Sequence, residues 1–426
     1  MNTRPLGLDR LNRMVSTTLA RLTRAQGPAE EPTPVYALAS PRYDQHLSIP
    51  VKETTADARA ARDTEARGQF LARQERWDEL IDEIREADQT RAVTPGGVPI
   101  GELLAFGARS DVVLAAEHAL DEGTPSDESF ITDAIKSLEN MRRDMNDDPY
   151  MALVVALTHI DVAWAWHGNR PDSRLPKLHR TRFKTHFDRA IAIMAPFSGL
   201  ELDSPLIATA QCALLAGEED PEGRVSDDYE DLIDLDPHNH RHMRALGYHL
   251  LPRWFGSYDR LELEARRTAA RTQDIWGAGA YAWVNFDAIA MDEIACACLD
   301  VEYFIEGLRD IIAARPEQEM INLLAAYCSI TIRQNEGESS EADFNRYLIA
   351  DCADWLIRDH LTEVHPLVWA HALDPFDNNA RVSSVNRFAA RGRRFALQAI
   401  GELFREEINK GGHVTFTIDG PRFDAA

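Results

Sequence analysis

The chain is predicted to be all-α, a right-handed stack of helical hairpins (an α-solenoid) with one short C-terminal β element. Three observations predict it. Apolar residues recur at helical spacing through most of the chain, as in Ile131, Ile135 and Leu138 or Met243, Leu246 and Leu250. The breaks between such runs are short and marked by Pro or Gly, at Thr94-Pro95-Gly96-Gly97, Gly168-Asn169, Gly256-Ser257 and Gly411-Gly412. Strand-type alternation is confined to Val414, Phe416 and Ile418.

Taken in order, residues 1–55 read as a basic helix followed by a Pro-rich linker. Leu8, Leu11, Val15, Leu19 and Leu22 share one side, with Arg4, Arg10, Arg13, Arg21 and Arg24 around them. Such a segment suits docking on a partner or an acidic surface. Pro28, Pro32, Pro34, Pro41 and Pro50 make residues 27–55 an extended linker, because Pro cannot support regular hydrogen bonding. Residues 56–146 form an N-terminal helical region. Its last helix has a start signal at Thr124-Pro125 and Asp127, and an inner face of Ile131, Ala134, Ile135, Leu138 and Met141.

Residues 147–335 form the central region. Asp148-Pro149 opens the most apolar helix, which runs to Gly168-Asn169 and reads as a buried core helix. His159 and Asp161 interrupt it, leaving it short of a membrane span. Ser204-Pro205 opens another helix. The stretch Leu235–Asp287 reads as the centre of the molecule. Asp236-Pro237 opens a helix with Met243, Leu246, Gly247 and Leu250 on one face, Pro252 ends it, and Gly256-Ser257 turns the chain with Ser257 as the next cap. In the second helix Leu261, Ala265, Thr268, Ala269 and Thr272 line the packed side, and Glu264 lies one turn from Arg260 and Arg267. A Gly277/Gly279 turn and a nearly wholly apolar helix over 317–332 follow.

Residues 336–426 hold the C-terminal helices and the β element. Ser340 is predicted to cap a helix whose inner face is Phe344, Tyr347, Leu348, Cys352, Trp355 and Leu356, and a last helix covers 382–409.

Leu235-Asp236-Pro237, Asn239, Leu246-Gly247, Gly256, Tyr258 and Asp259 resemble a tetratricopeptide repeat, a helix–turn–helix unit of about 34 residues. Gly68, Trp77, Leu80 and Ala87 echo it, as do Pro316, Asn322, Leu323 and Ala326. The pattern departs from the family in two extra turn residues and in Leu261, where a small residue is usual. The tract Leu250–Trp283 is also similar to an uncharacterised bacterial group of helical proteins. The resemblance implies a fold of stacked hairpins and a recognition surface, and no activity.

Composition narrows the function. The 426 residues include 46 basic and 70 acidic ones, a net charge of −24, which argues against nucleic acid or anionic membrane as the general partner. Five cysteines at irregular spacing are poor material for a disulfide framework and fit a reducing compartment, and no apolar signal core is present, so the expected location is cytoplasmic. Cys296-x-Cys298 lacks the spacing of zinc or redox motifs. No P-loop, dinucleotide fingerprint, nucleophile elbow or kinase signature appears, so no cofactor and no catalytic residue is assigned.

The expected function is therefore non-enzymatic binding of a protein or peptide partner. Arg253, Trp254, Tyr258, Arg267 and Arg271 are the candidate contacts, since Arg and aromatic residues dominate interface energetics. Arg381, Arg387, Arg391, Arg393 and Arg394 form a basic cluster that suits pairing with carboxylates. The alternative is a metal-dependent or acid/base enzyme. His238 and His242 one helical turn apart, with Asp234, make one candidate metal set. His159, Asp161 and His167 near Trp164 and Trp166 make a candidate acid/base pocket.

Overall fold

The structure, a computed structural model, describes residues 43–121, 129–168, 174–335, 337, 339–373 and 384–424. The basic segment 4–24, the linker up to residue 42, the start signal at Thr124-Pro125 and Arg381 lie outside the described residues. The described chain is mostly helical with a small three-stranded sheet near its C-terminus. It divides into two compact units, residues 56–256 and residues 43–55 with 257–424. The division falls inside the stretch 147–335 that reads as one region in the sequence.

The first unit contains α1 (Ala56–Arg73), α2 (Trp77–Gln89), α3 (Ile100–Asp121), α4 (Ser129–Asp144), α5 (Pro149–His167), α6 (Lys177–Met194), α7 (Pro205–Leu214), α8 (Val225–Leu235) and α9 (His240–His249). Helix α5 is its axis. Asp148 accepts hydrogen bonds from the backbone N–H of Tyr150 (2.8 Å) and Met151 (3.3 Å), Pro149 fills the first helical position, and Gly168 ends the helix at φ 64°. No residue from Tyr150 to His167 is more than 8% exposed, so the helix has no solvent face at all. It packs on α3, α4, α6 and α7. It is also the one helix among the described residues long and apolar enough to cross a membrane, and it is enclosed by its own unit.

Helices α1 and α3 meet backbone to backbone. A Cβ on Gly68 would overlap the carbonyl oxygen of Leu104, and one on Gly107 would overlap that of Glu65. The two glycines allow this approach because they carry no side chain. Buried Asp88 knits α2, α5 and α7 together. It accepts hydrogen bonds from the Tyr150 hydroxyl and the Leu206 N–H, each at 3.0 Å, and from the hydroxyl of Ser204, the predicted cap of α7. Burial pushes the Asp88 carboxyl above its usual range, although these hydrogen bonds pull the other way.

The second unit contains α10 (Tyr258–Arg271), α11 (Gln273–Trp276), α12 (Gly279–Met291), α13 (Glu293–Ala297), α14 (Val301–Ala314), α15 (Gln318–Ser329), α16 (Ser340–Asp351), α17 (Pro366–Leu373), α18 (Val385–Leu403) and α19 (Arg405–Asn409), with short helical turns over 353–360. Helices α12 and α15 hold its core, where the Phe286 and Tyr327 rings stack at 3.8 Å and the Tyr327 hydroxyl donates to the Phe286 carbonyl at 2.8 Å. A Cβ on Gly392 of α18 would overlap the carbonyl oxygen of Pro366, so α17 and α18 are closely packed too.

The sheet has the order β1 (Leu47–Ser48), β2 (His413–Thr417), β3 (Gly420–Asp424). β1 runs parallel to β2 with Leu47 opposite Val414, and β3 runs antiparallel with Thr417 opposite Gly420. Val414 and Phe416 point into the core as expected. Ile418 does not join them: the strand ends at Thr417, and Ile418 sits in the turn, 92% exposed.

Four expectations need correction. The stretch 236–272, read as one hairpin, spans the division between units: α9 packs on α8, and α10 packs on α12. Helix α9 opens at His240 with Asn239 as its cap, not at Asp236-Pro237; Ser257 does cap α10, accepting from the Arg260 N–H at 3.3 Å. The described end of the Pro-rich linker is paired: the Lys52 N–H donates to the Val364 carbonyl at 2.9 Å and the Val364 N–H to the Pro50 carbonyl at 2.8 Å. An extended edge segment tolerates proline where a central strand would not.

The last correction concerns α16, which turns the opposite way from the expectation. Ser339, not Ser340, caps it, accepting from the Ala342 N–H at 3.3 Å. It buries Ala342, Asn345, Arg346, Ile349 and Ala350, while Phe344 is 61% and Tyr347 67% exposed. Asn345 finds an interior partner, and Arg346 is paired along its own helix. Asn345 Nδ2 donates to the Cys296 carbonyl at 2.8 Å, and Arg346 pairs with Asp343 at 2.9 Å. Cys352 and Leu356, beyond the helix, are buried as expected.

Candidate functional site

The polar residues of α5 do not form one pocket. Successive helical residues are rotated by about 100°, so His159 and Asp161 leave the helix on nearly opposite sides. Asp161 turns to α3, where its Oδ2 lies 2.7 Å from Nε of buried Arg109. His167 packs edge-on against Trp164 at 5.3 Å, and its Nδ1 lies 3.1 Å from the Gly168 carbonyl.

His159 instead enters a polar array between α4 and α6. Its Nε2 lies 3.0 Å from Glu139 Oε1, and its Nδ1 lies 2.9 Å from Nδ1 of His186. Glu139 also accepts from Nε and Nη2 of Arg189, both at 2.8 Å. The His159 hydrogen bond and then the Arg189 guanidinium hold the Glu139 carboxyl well below the usual carboxylate range. Burial, His159 and Arg182 push His186 down to about 3, so it is neutral at physiological pH. The result is a donor–acceptor chain, Glu139–His159–His186, along which one proton can be placed on either of two facing Nδ1 atoms. Chemically it can hold or pass a proton. His159 itself is buried, however, which keeps substrate-sized groups away from it.

The residues of the candidate metal set are not brought together. Asp234 and His238 are exposed, and His238 precedes α9, so it does not share a helical face with His242. His242 is buried, with Nε2 2.9 Å from Asn239 Nδ2 and 3.5 Å from Asp236 Oδ2. Burial would raise the Asp236 carboxyl, but His242, Asn239 and Arg91 outweigh it and hold the group below its usual range. Among the described residues no group of three or more His, Cys, Asp or Glu side chains is arranged to hold a metal ion. Asp88, Arg91, Glu102, Asp236 and His242 line a cavity of about 30 Å³, room for ordered water but not for an organic substrate.

The five candidate contacts are divided between the units: Arg253 and Trp254 in the first, Tyr258, Arg267 and Arg271 in the second. Arg253 and Arg267 are exposed, and Arg267 pairs with Glu264 of its own helix at 3.1 Å. Trp254 is half-buried against the Tyr248 ring at 5.0 Å, wedging the chain after α9. Tyr258 and Arg271 are half-buried.

The sequence reading missed the outward face of α16. Phe344 and Tyr347 lie on it with half-buried Leu348, and exposed Glu341 and Asp351 stand at its two ends. The only cation of α16, Arg346, is buried on the other side. A helix with apolar residues on both sides leaves the choice of face open in the sequence; no periodicity marks which side is covered. In the basic helix α18, Arg393 pairs with Glu53 at 3.5 Å, and Arg387 and Arg394 are exposed.

No protein-family model matches the chain, and neither a curated protein nor a solved structure matches it.

Proposed function

We propose that the protein is a non-enzymatic helical scaffold, built as a stack of tetratricopeptide-like hairpins, that binds a protein or peptide partner in the cytoplasm. The observation that carries this reading is the pair of exposed aromatic side chains on α16, Phe344 and Tyr347. Large apolar groups left in water at helical spacing are the raw material of helix-mediated recognition. The acidic ends of that face and the net charge of −24 favour a partner that brings apolar and basic groups, and disfavour nucleic acid.

The test places a photo-crosslinking amino acid at 344 or 347 in the full chain, exposed to native extract. A discrete adduct that disappears when the neighbouring aromatic residue is changed to Ser supports the reading. Absence of any adduct at 344, 347, 253, 254 and 267 sinks it.

A second reading, an acid/base enzyme, draws on the Glu139–His159–His186 chain. It requires that His159 meet a substrate, and His159 is covered. Retained activity of a His159→Gln variant in any turnover found for the protein would remove that reading. Its metal-dependent form fails if zinc titrated into the protein binds equally to wild type and to a His238→Ala/His242→Ala variant.

A further inference from the structure

In the second unit the segment from β1 to α17 carries a histidine in an unusual position. His365 is buried, its Nδ1 lies 2.6 Å from Oε2 of Glu319, and its Nε2 lies 2.9 Å from Oε1 of Glu363. The backbone around the imidazole is fixed by Asn322. The His365 backbone N–H donates to Asn322 Oδ1 at 2.9 Å, the same oxygen accepts from Trp369 Nε1 at 2.9 Å, and Asn322 Nδ2 donates to the Glu363 carbonyl at 2.9 Å. Gln318, one turn earlier on α15, accepts from the Thr362 N–H at 2.9 Å and donates to the His360 carbonyl at 2.9 Å.

Each of the two carboxylates also holds the N-terminal strap, residues 50–55. Glu319 Oε1 accepts from the Thr55 hydroxyl at 2.9 Å, and Glu363 Oε2 lies 3.8 Å from Lys52 Nζ. Between these points the strap makes its backbone pairing with Val364.

We propose that Glu319, His365 and Glu363 form a proton-operated clasp that fastens the strap 50–55 to the helices of the second unit and releases it when His365 loses its proton. Only an imidazolium carries a proton on both ring nitrogens and so can pair with both carboxylates. It is hydrogen-bonded to Glu363 through Nε2 and ion-paired with Glu319 at Nδ1, whose N–H is not aligned for a hydrogen bond. A neutral ring must turn a lone pair toward one of the carboxylates. The charges facing the ring are Glu319 from α15 and Glu363 from its own turn, with Lys52 of the strap beyond Glu363; the strap's Glu53 pairs with Arg393 of α18, and α17 presents uncharged Pro366 and Trp369. With His365 protonated the two carboxylates are matched by two cations. Removing the proton leaves one carboxylate unmatched beside a buried ring, and the carboxylates that hold Thr55 and Lys52 then repel each other.

The direction of titration agrees with this geometry. Burial alone would lower His365, but its pairing with the Glu319 and Glu363 carboxylates outweighs it and raises the group above its ordinary value. The stabilisation is therefore complete below the ordinary histidine range and disappears as pH rises through the raised value. The clasp is closed while His365 is protonated and both carboxylates are ionised, and it opens as pH rises through the raised value of His365.

The test uses the full chain with isotope-labelled histidine. The His365 signal, identified by its absence in His365→Gln, should titrate above the ordinary histidine value of about 6.5. Amide exchange of residues 50–55, corrected for intrinsic base catalysis, should quicken at least about tenfold between about pH 6 and about pH 9. In a Glu319→Gln/Glu363→Gln variant that dependence should vanish. Titration of wild-type His365 at or below its ordinary value overturns the proposal without any variant. So does strap exchange that shows no pH dependence, or the same dependence in the double variant.

Discussion

Arg109 Nε and Asp161 Oδ2 are 2.7 Å apart in the interior of the first unit, with side chains 2% and 7% exposed. The pair joins α3 to α5. Two opposite charges removed from water together are close to neutral for stability, whereas one alone is not. Asp161→Asn should lower unfolding stability by about 3–5 kcal/mol, and Arg109→Met with Asp161→Leu should recover most of it. Denaturant titration decides this. A single variant within about 1 kcal/mol of wild type would mean that water reaches the pair.

The contact of α1 with α3 makes a second prediction. Gly107→Ala gains up to about 1 kcal/mol of helix propensity. It also forces a methyl group into the Glu65 carbonyl, an overpacking effect of about 1–3 kcal/mol. The steric effect should win, since backbone cannot move aside as a flexible side chain can, and the melting temperature should fall. Gly223→Ala is the control: its nearest contact would be Asp220 Oδ2 at 3.8 Å, so it should be near neutral.

His186 and His365 are expected to respond to pH with opposite signs. His186 is lowered to about 3 in the folded state, so folding excludes its proton. Its folded form is undisturbed above the ordinary value of about 6.5, and stability is lost as pH falls from there toward about 3, by up to about 1.4 kcal/mol per pH unit. His186→Asn should flatten the acid side of the stability profile, measured as the denaturation midpoint at several pH values. An unchanged slope would show that His186 is hydrated.

The orientation of α16 can be checked by stability alone. Phe344→Ser and Tyr347→Ser should change unfolding free energy by no more than about 0.5 kcal/mol, because both side chains are already in water. Ile349→Ala, on the buried side, should lose about 2–5 kcal/mol. The reverse order would restore the face read from the sequence.

Where the residues of an element carry its instructions locally, the sequence alone determined the outcome. Asp148-Pro149 supplies a cap and a donor-free first position, a continuous apolar run follows, and Gly168 supplies the positive φ that ends α5; all three act within the helix itself. Val414 and Phe416 face inward by the same kind of rule, since alternation in a strand needs no distant partner to be read.

The tertiary structure decided whatever depends on a partner far along the chain. Gly256-Ser257 is a good turn whether the helices on either side pack on each other or in separate units, and only the packing of α9 on α8 and α10 on α12 distinguishes the two. Asn345 looks like a solvent-facing residue until the Cys296 carbonyl receives it, on the side opposite exposed Phe344 and Tyr347. Asp161 and His159 look like one site until Arg109 claims the first and Glu139 and His186 claim the second. A buried polar group goes where its hydrogen bonds are satisfied, and that location belongs to the assembled core rather than to the spacing of residues on one helix.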